Sequence, residues 1–317
     1  MSNLMDDYSQ IQAHIEEGRS EADVILALDT STAAMAAAIV RGAEVLGEVQ
    51  SLAERNHSVH VIEHVSDLIG GSGLSQDEIS LIAVGSGPGS YTGMRIAASA
   101  AKTLAWVWGI PLVSVSSLEG LAYGAWRTAA QPQSAEPQSA MQQSTISQSA
   151  KPQSAKPHSP TLSAQAQLNQ PQQADPASIT AATHWVVPIM DARRGQVYTS
   201  LFLAGADGSW TRVERDGVRL MSDWIAALAE KAAAHNVSSI TITGDIALHE
   251  EQALRLHQLV AAEVRLQPYI MEGRWLAALG AREAAEGGGI DPHAFVPNYT
   301  QLTEAEVNLK ARGAGHI

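Results

Sequence analysis

The chain has 317 residues, a net charge of −13 and no cysteine. That length suffices for about two domains with cores of their own. The lack of thiols excludes disulfides, thiol nucleophiles and Cys-based zinc sites and fits a reducing cytosol, and the acidity argues against strong nucleic-acid binding by this chain alone, since phosphate neutralisation dominates that affinity.

Residues 1–22 are polar and acidic and lack the basic and apolar regions of a signal peptide, so a tail ahead of the first strand is expected. Strands are predicted at 24–29, 34–40 and 43–50, a helix at 57–69, a strand at 81–85, a helix at 91–108, a strand at 112–115 and a helix at 117–126. Together they make a first lobe, 23–129. From 130 to 178 the composition changes. Pieces such as Gln131-Pro132-Gln133-Ser134-Ala135 and Lys151-Pro152-Gln153-Ser154-Ala155 recur, and large apolar residues become rare. Burial there cannot offset the ordering entropy, so a disordered insert in a surface connection is expected. The second lobe, 179–317, has strands at 185–190, 196–203 and near 210–220, a helix at 222–234 and a strand at 238–243. A less clear stretch precedes a helix at 274–285. Each lobe therefore offers three consecutive strands and then alternating helix and strand, as two copies of one α/β fold would. No run of 18 apolar residues exists; the best candidate, Ile96 to Val113, is interrupted by Lys102 and Pro111, so no membrane association is expected.

Candidate chemistry begins at Gly85-Ser86-Gly87-Pro88-Gly89-Ser90-Tyr91-Thr92-Gly93-Met94-Arg95, a turn between a strand and a helix where backbone N–H groups can meet an anion or a partner. Its glycines do not space as G-x-G-x-x-G, and no G-K-[ST] follows. Arg95 falls in the first helical turn, where the helix dipole disfavours a cation, so a specific anionic partner is expected for it. Asp29-Thr30-Ser31 ends the first strand and is a weak candidate for holding a metal and phosphates; a polar turn capping its own backbone is the favoured reading. His57, His60 and His64 follow one helical stripe, a spacing that zinc can use and that an exposed or interface stripe also produces. The helix from 91 carries Met94, Ala98, Ala101 and Ala105, small enough to admit a second helix.

Several of these pieces resemble one family. Gly87 to Arg95, read as GPGSYTGMR, is similar to the signature of the bacterial TsaB (YeaZ) family. Ile25 to Thr32, Arg55-Asn56-His57-Ser58, Gly109 to Glu119 and Asp191 to Tyr198 resemble further motifs of that family in the same order. Pro297-Asn298-Tyr299 matches its C-terminal motif less well, with Thr300-Gln301 where the family has Leu-Arg. The resemblance implies a duplicated actin/Hsp70-like (ribonuclease H-like) two-lobed α/β fold and a non-catalytic dimerisation and activator subunit. Such a subunit pairs with TsaD, and with TsaE, while threonylcarbamoyl is transferred to N6 of the adenosine beside the anticodon of tRNA. A weak homodimer, contact with tRNA only through the complex and a cytoplasmic location go with it. ATP and a metal would belong to the partner subunits and no cofactor to this chain. The implied interface is His57, His60, Val61, His64, Tyr91, Met94, Arg95, Ala98, Ala101 and Ala105. The catalytic paralogue TsaD carries an N-H-L-E-G-H-like turn whose two histidines hold its metal; the comparable positions here are Ser117 and Leu121. The alternatives are an actin-fold small-molecule kinase or ATPase using Asp29 and the Gly85–Gly89 turn, and a metallopeptidase-like protein using the His57–His64 stripe.

Overall fold

The structure is a computed structural model that describes residues 23–52, 60–130 and 183–300. The expected tail (1–22), His57, the bulk of the expected insert and residues after Thr300 lie outside the described residues.

Three strands open the chain as an antiparallel meander: β1 (Val24–Asp29), β2 (Ala34–Arg41) and β3 (Glu44–Leu52). Helix α1 (Val61–Ser72) leads to β4 (Ile79–Gly85), which pairs parallel to β1. Helix α2 (Tyr91–Trp108), β5 (Leu112–Val115) and helix α3 (Ser117–Ala130) complete the run. Ser90 caps α2 by accepting the Gly93 N–H at 3.3 Å, and Gly109 ends it in the left-handed region at φ 65°. The second half repeats the plan: β6 (His184–Asp191), β7 (Gln196–Ala204), β8 (Trp210–Leu220), helix α4 (Met221–His235), β9 (Ser239–Gly244), helix α5 (Glu250–Leu259), β10 (Glu263–Pro268), helix α6 (Gly273–Ala285) and the short β11 (Gly289–Ile290). The sheet orders are β11-β5-β4-β1-β2-β3 and β10-β9-β6-β7-β8. Without β11, each reads fifth, fourth, first, second, third in its own chain order, so the duplication is present in the strand order itself.

Alternation along β1 explains the layers. Leu26 and Leu28 face α1 and α2 in one apolar cluster, while Ile25 and Ala27 face α6 in another. In the second sheet, Trp185, Val187 and Ile189 pack under α4 and α5. The opposite face is covered by α3 through Ala122, against Val186 and Phe202. The two lobes thus exchange covering helices. Helix α3 follows the first sheet and packs on the second; α6 follows the second and packs on the first.

Through that exchange the expected C-terminal lobe, 179–317, contributes a helix and a short strand to the first sheet's layer. Leu276, Ala277 and Leu279 of α6 are buried against β1, β2, β4 and β5, and β11 pairs with β5. The helix expected from 57 is seen from Val61, after His60. The unclear stretch holds α5 and β10; β10 buries only Val264 well, so its sequence lacks a strong strand pattern.

Polar bonds join the lobes beside the apolar ones. Arg212 of β8 pairs with Glu119 of α3 at 2.5 Å and with Asp216, and Trp210 Nε1 donates to Glu119 at 3.1 Å. Ser116 Oγ donates to Asp216 at 2.6 Å. On the other side, Arg274 pairs with Glu48, and Gln50 Nε2 donates to the Met271 carbonyl at 2.7 Å. No helix among the described residues is long and apolar enough to cross a membrane.

Candidate functional site

The equivalent strands of the two lobes end in equivalent residues. β1 ends at Asp29 and β6 at Asp191, while their parallel neighbours β4 and β9 end at Gly85 and Gly244. A cleft of about 1060 Å³ opens between these ends, with the turn after β1 and the start of α2 on one wall. The loops after β6 and β9 form the other.

On the first wall, Asp29 is fully buried. Its Oδ1 accepts the Ser31 N–H at 2.7 Å and the Ser31 hydroxyl at 2.8 Å, and its Oδ2 accepts the Ser117 hydroxyl. Burial pushes its carboxyl above the ordinary range, against the lowering influence of those bonds. A side chain at Gly85 would collide with Asp29, its Cβ lying 1.7 Å from Oδ2. Thr30 donates to the Gly93 carbonyl at 2.5 Å and accepts the Ala97 N–H at 3.1 Å; a Cβ on Gly93 would lie 1.8 Å from the Thr30 carbonyl oxygen.

The glycine-rich loop is therefore shaped to receive the 29–32 turn. Several of its backbone donors are also engaged by the protein. Gly87 N donates to Ser117 Oγ at 2.9 Å, Ser90 N to the Ser31 carbonyl at 2.8 Å and Met94 N to the Ser90 carbonyl at 2.8 Å. Of the weak candidates, Asp29, Thr30 and Ser31 are all buried, and they serve this knot.

The two positions that the resemblance sets against the paralogue's metal ligands, 117 and 121, are packed in the same manner. Ser117 is fully buried, its hydroxyl donating to Asp29 and accepting from Gly87. Leu121, one turn on, is buried among Ala36, Leu118, Met190, Ala192, Tyr198 and Met271. A side chain on Gly244 would lie 2.7 Å from the Leu121 methyl, so the two lobes meet there by carbon contact. The residues present do not fit a metal.

On the second wall, His249 Nε2 lies 3.2 Å from Asp191 Oδ1, and Asp245 Oδ2 accepts the Asp191 N–H at 3.2 Å. Burial raises the Asp245 carboxyl, and the neighbouring Asp191 charge adds to it. Tyr198 is likewise raised by burial and then by Asp191. Residues 245 and 249 fall in the unclear stretch of the sequence, where no motif pointed to them.

A second concavity, about 550 Å³, lies between α1 and α2 and is lined by Ile62, Tyr91, Arg95, Ser99 and Thr103 among others. Of the expected interface residues, His60, Tyr91 and Arg95 are exposed and His64 is half-buried. Met94, Ala98, Ala101 and Ala105 are buried inside the chain, which corrects their placement at a partner surface; Val61 is buried too but is among the residues lining this concavity. The small residues let α2 approach its own sheet; the outward face is Arg95, Ser99, Thr103 and Trp106. Arg95 has no ion pair among the described residues. It contacts the Tyr91 hydroxyl at 3.4 Å and lies 5.5 Å from its ring centre, so the expected anionic partner is not found among the described residues. His60 bonds Glu63 at 2.7 Å, which lowers the Glu63 carboxyl. Among the described residues no group of three His, Asp or Glu side chains is arranged to hold a metal.

Sheet order and inter-lobe cleft define a duplicated actin/Hsp70-like, ribonuclease H-like α/β protein. Residues 11–147 match the family model described as TsaD, tRNA N6-adenosine threonylcarbamoyltransferase. The tRNA threonylcarbamoyladenosine biosynthesis protein TsaB of Bacillus subtilis (strain 168) is 30% identical over 285 residues, covering 89% of this chain and 96% of that protein. TsaB of Escherichia coli (strain K12) is 39% identical over 103 residues, 32% of this chain and 44% of that one. The solved structure of YeaZ from Pseudomonas aeruginosa superposes with a TM-score of 0.57 at 19% identity, over 87% of this chain and 99% of that chain. The chain belongs to the TsaB (YeaZ) family.

Proposed function

We propose that the chain is the non-catalytic activator subunit of the assembly that makes threonylcarbamoyladenosine in tRNA, acting in the cytoplasm. It would bind TsaD, and through the complex TsaE, with a weaker homodimer as the unpartnered state. ATP and the metal belong to the partner subunits, and tRNA is met through the complex.

Positions 117 and 121 carry this reading. A residue that ligates must present a lone pair. Leu121 has none, and the Ser117 hydroxyl is committed to Asp29 and Gly87. The bonds between the glycine-rich loop and the 29–32 turn support the same reading. The groove between α1 and α2 supports the binding role. It is bordered by exposed Ile62 and Tyr91, at 53% and 47% exposure, and by an Arg95 without an ion pair among the described residues. A partner helix laid there would bury apolar surface and offer Arg95 a carboxylate. Reconstituted tRNA modification tests the proposal. This chain alone is expected to be inactive, and its addition to TsaD and TsaE to raise the rate.

A further inference from the structure

The hairpin between β6 and β7 places three consecutive residues in the left-handed region: Arg193 at φ 67°, Arg194 at φ 56° and Gly195 at φ 73°. Glycine accepts that conformation freely. For a residue with a long side chain it is disfavoured, and tight hairpins that need two such positions usually use Asn-Gly. Two adjacent arginines are therefore an unfavourable choice for the turn itself.

Among the described residues Arg193 gains one ion pair and Arg194 none. Arg193 is 86% exposed and lies 3.6 Å from Asp191, which is 16% exposed, a long contact whose cationic end is open to water. Arg194 is exposed and has no ion pair or hydrogen bond among the described residues. The tip is nevertheless firmly held. Arg193 N donates to Asp191 Oδ1 at 3.2 Å, Ala192 N to the Gln196 carbonyl at 2.9 Å, and Met221 N to the Gly195 carbonyl at 2.9 Å. Arg193 borders the cleft and Arg194 follows it on the same fixed turn, on a chain whose net charge is −13. Unrelieved strain at a rigid, exposed point indicates that the compensating contact is made with another molecule.

We propose that Arg193 and Arg194 form an anion-recognition tip that takes phosphate groups of the tRNA backbone once the chain is assembled with TsaD. Guanidinium suits phosphate because its planar fork donates two parallel hydrogen bonds and keeps its charge at all relevant pH values. RNA is favoured over an acidic protein surface because it brings closely spaced charges of one sign. An acidic chain can engage these only at a local cationic point, where release of counterions supplies the affinity. The inference rests on the proposed membership of a tRNA-modifying assembly.

The test is the double variant Arg193→Asn/Arg194→Gly, which installs the preferred turn residues. The free variant should melt at the same temperature as the parent or a few degrees higher. Its association with TsaD, followed by size-exclusion chromatography, should be unchanged. Binding of unmodified tRNA by the assembled complex should weaken about tenfold near 0.15 M salt, and the slope of log K against log salt should fall by about 2. Unchanged tRNA affinity and slope overturn the proposal. Loss of TsaD binding with retained folding also overturns it, by making the tip a protein contact. Failure of the parent chain to bind TsaD at all would instead strike the proposed function.

Discussion

Replacing Ser117 with Ala would open the knot that closes the first lobe's glycine-rich loop. The hydroxyl is fully buried, donates to Asp29 and accepts the Gly87 N–H at 2.9 Å. Its removal takes a bond from each of two buried polar atoms, Asp29 Oδ2 and the Gly87 N–H, at roughly 1–3 kcal/mol per atom. A total near 3 kcal/mol is expected, or a melting temperature lower by about 6–12 °C for a domain of this size. The loss should depend on pH. Burial already raises the Asp29 carboxyl, and the Ser117 bond is the largest influence lowering it. Without that bond the folded-state pKa rises further above the unfolded value. A raised folded pKa of a carboxyl lowers stability as pH climbs through it, because the unfolded state then releases the proton more readily. The penalty of Ser117→Ala should therefore be smallest below the unfolded pKa of about 4 and grow towards neutral pH. Urea unfolding of both proteins at several pH values measures this. A penalty below about 0.5 kcal/mol, or one that does not change with pH, would refute the assignment of Ser117 as the closing bond.

Ala101→Glu should abolish the cooperative melt, since Ala101 is fully buried and an unpaired buried carboxylate costs on the order of 3–5 kcal/mol; Ser99→Glu, on the exposed face of the same helix, should melt normally and fail to retain TsaD on a column. Arg212→Met should lower stability by roughly 1–3 kcal/mol in urea unfolding, because Glu119 and Asp216 stay largely buried without their common partner.

Much of the fold was legible because apolar periodicity was strong where both sheet faces are covered. The helix predicted at 91–108 and the strand at 112–115 match α2 and β5 at both ends. The stretch around α5 and β10 resisted reading because an outer helix and an edge strand bury few side chains and so carry a weak pattern. The lobes' exchange of α3 and α6 was invisible for a different reason: an amphipathic helix shows that it has an apolar face, not which sheet receives it. The same ambiguity explains the misplaced alanines of α2. Small residues permit close approach, and the sequence does not state whether the neighbour is another protein or the chain's own sheet. The Asp29–Ser117 pairing joins residues 88 positions apart and appears only once the strands are aligned.

The central claim is that this chain promotes a reaction without performing it. The most direct measurement is threonylcarbamoyl incorporation into unmodified tRNA by this chain alone, by TsaD with TsaE, and by all three, using the parent chain and Asp29→Ala. The account predicts no turnover by the isolated chain, a rate with all three components well above that of TsaD with TsaE, and an effect of Asp29→Ala that follows only from its lost stability. Turnover by the pure chain that disappears in a folded Asp29→Ala variant would contradict it.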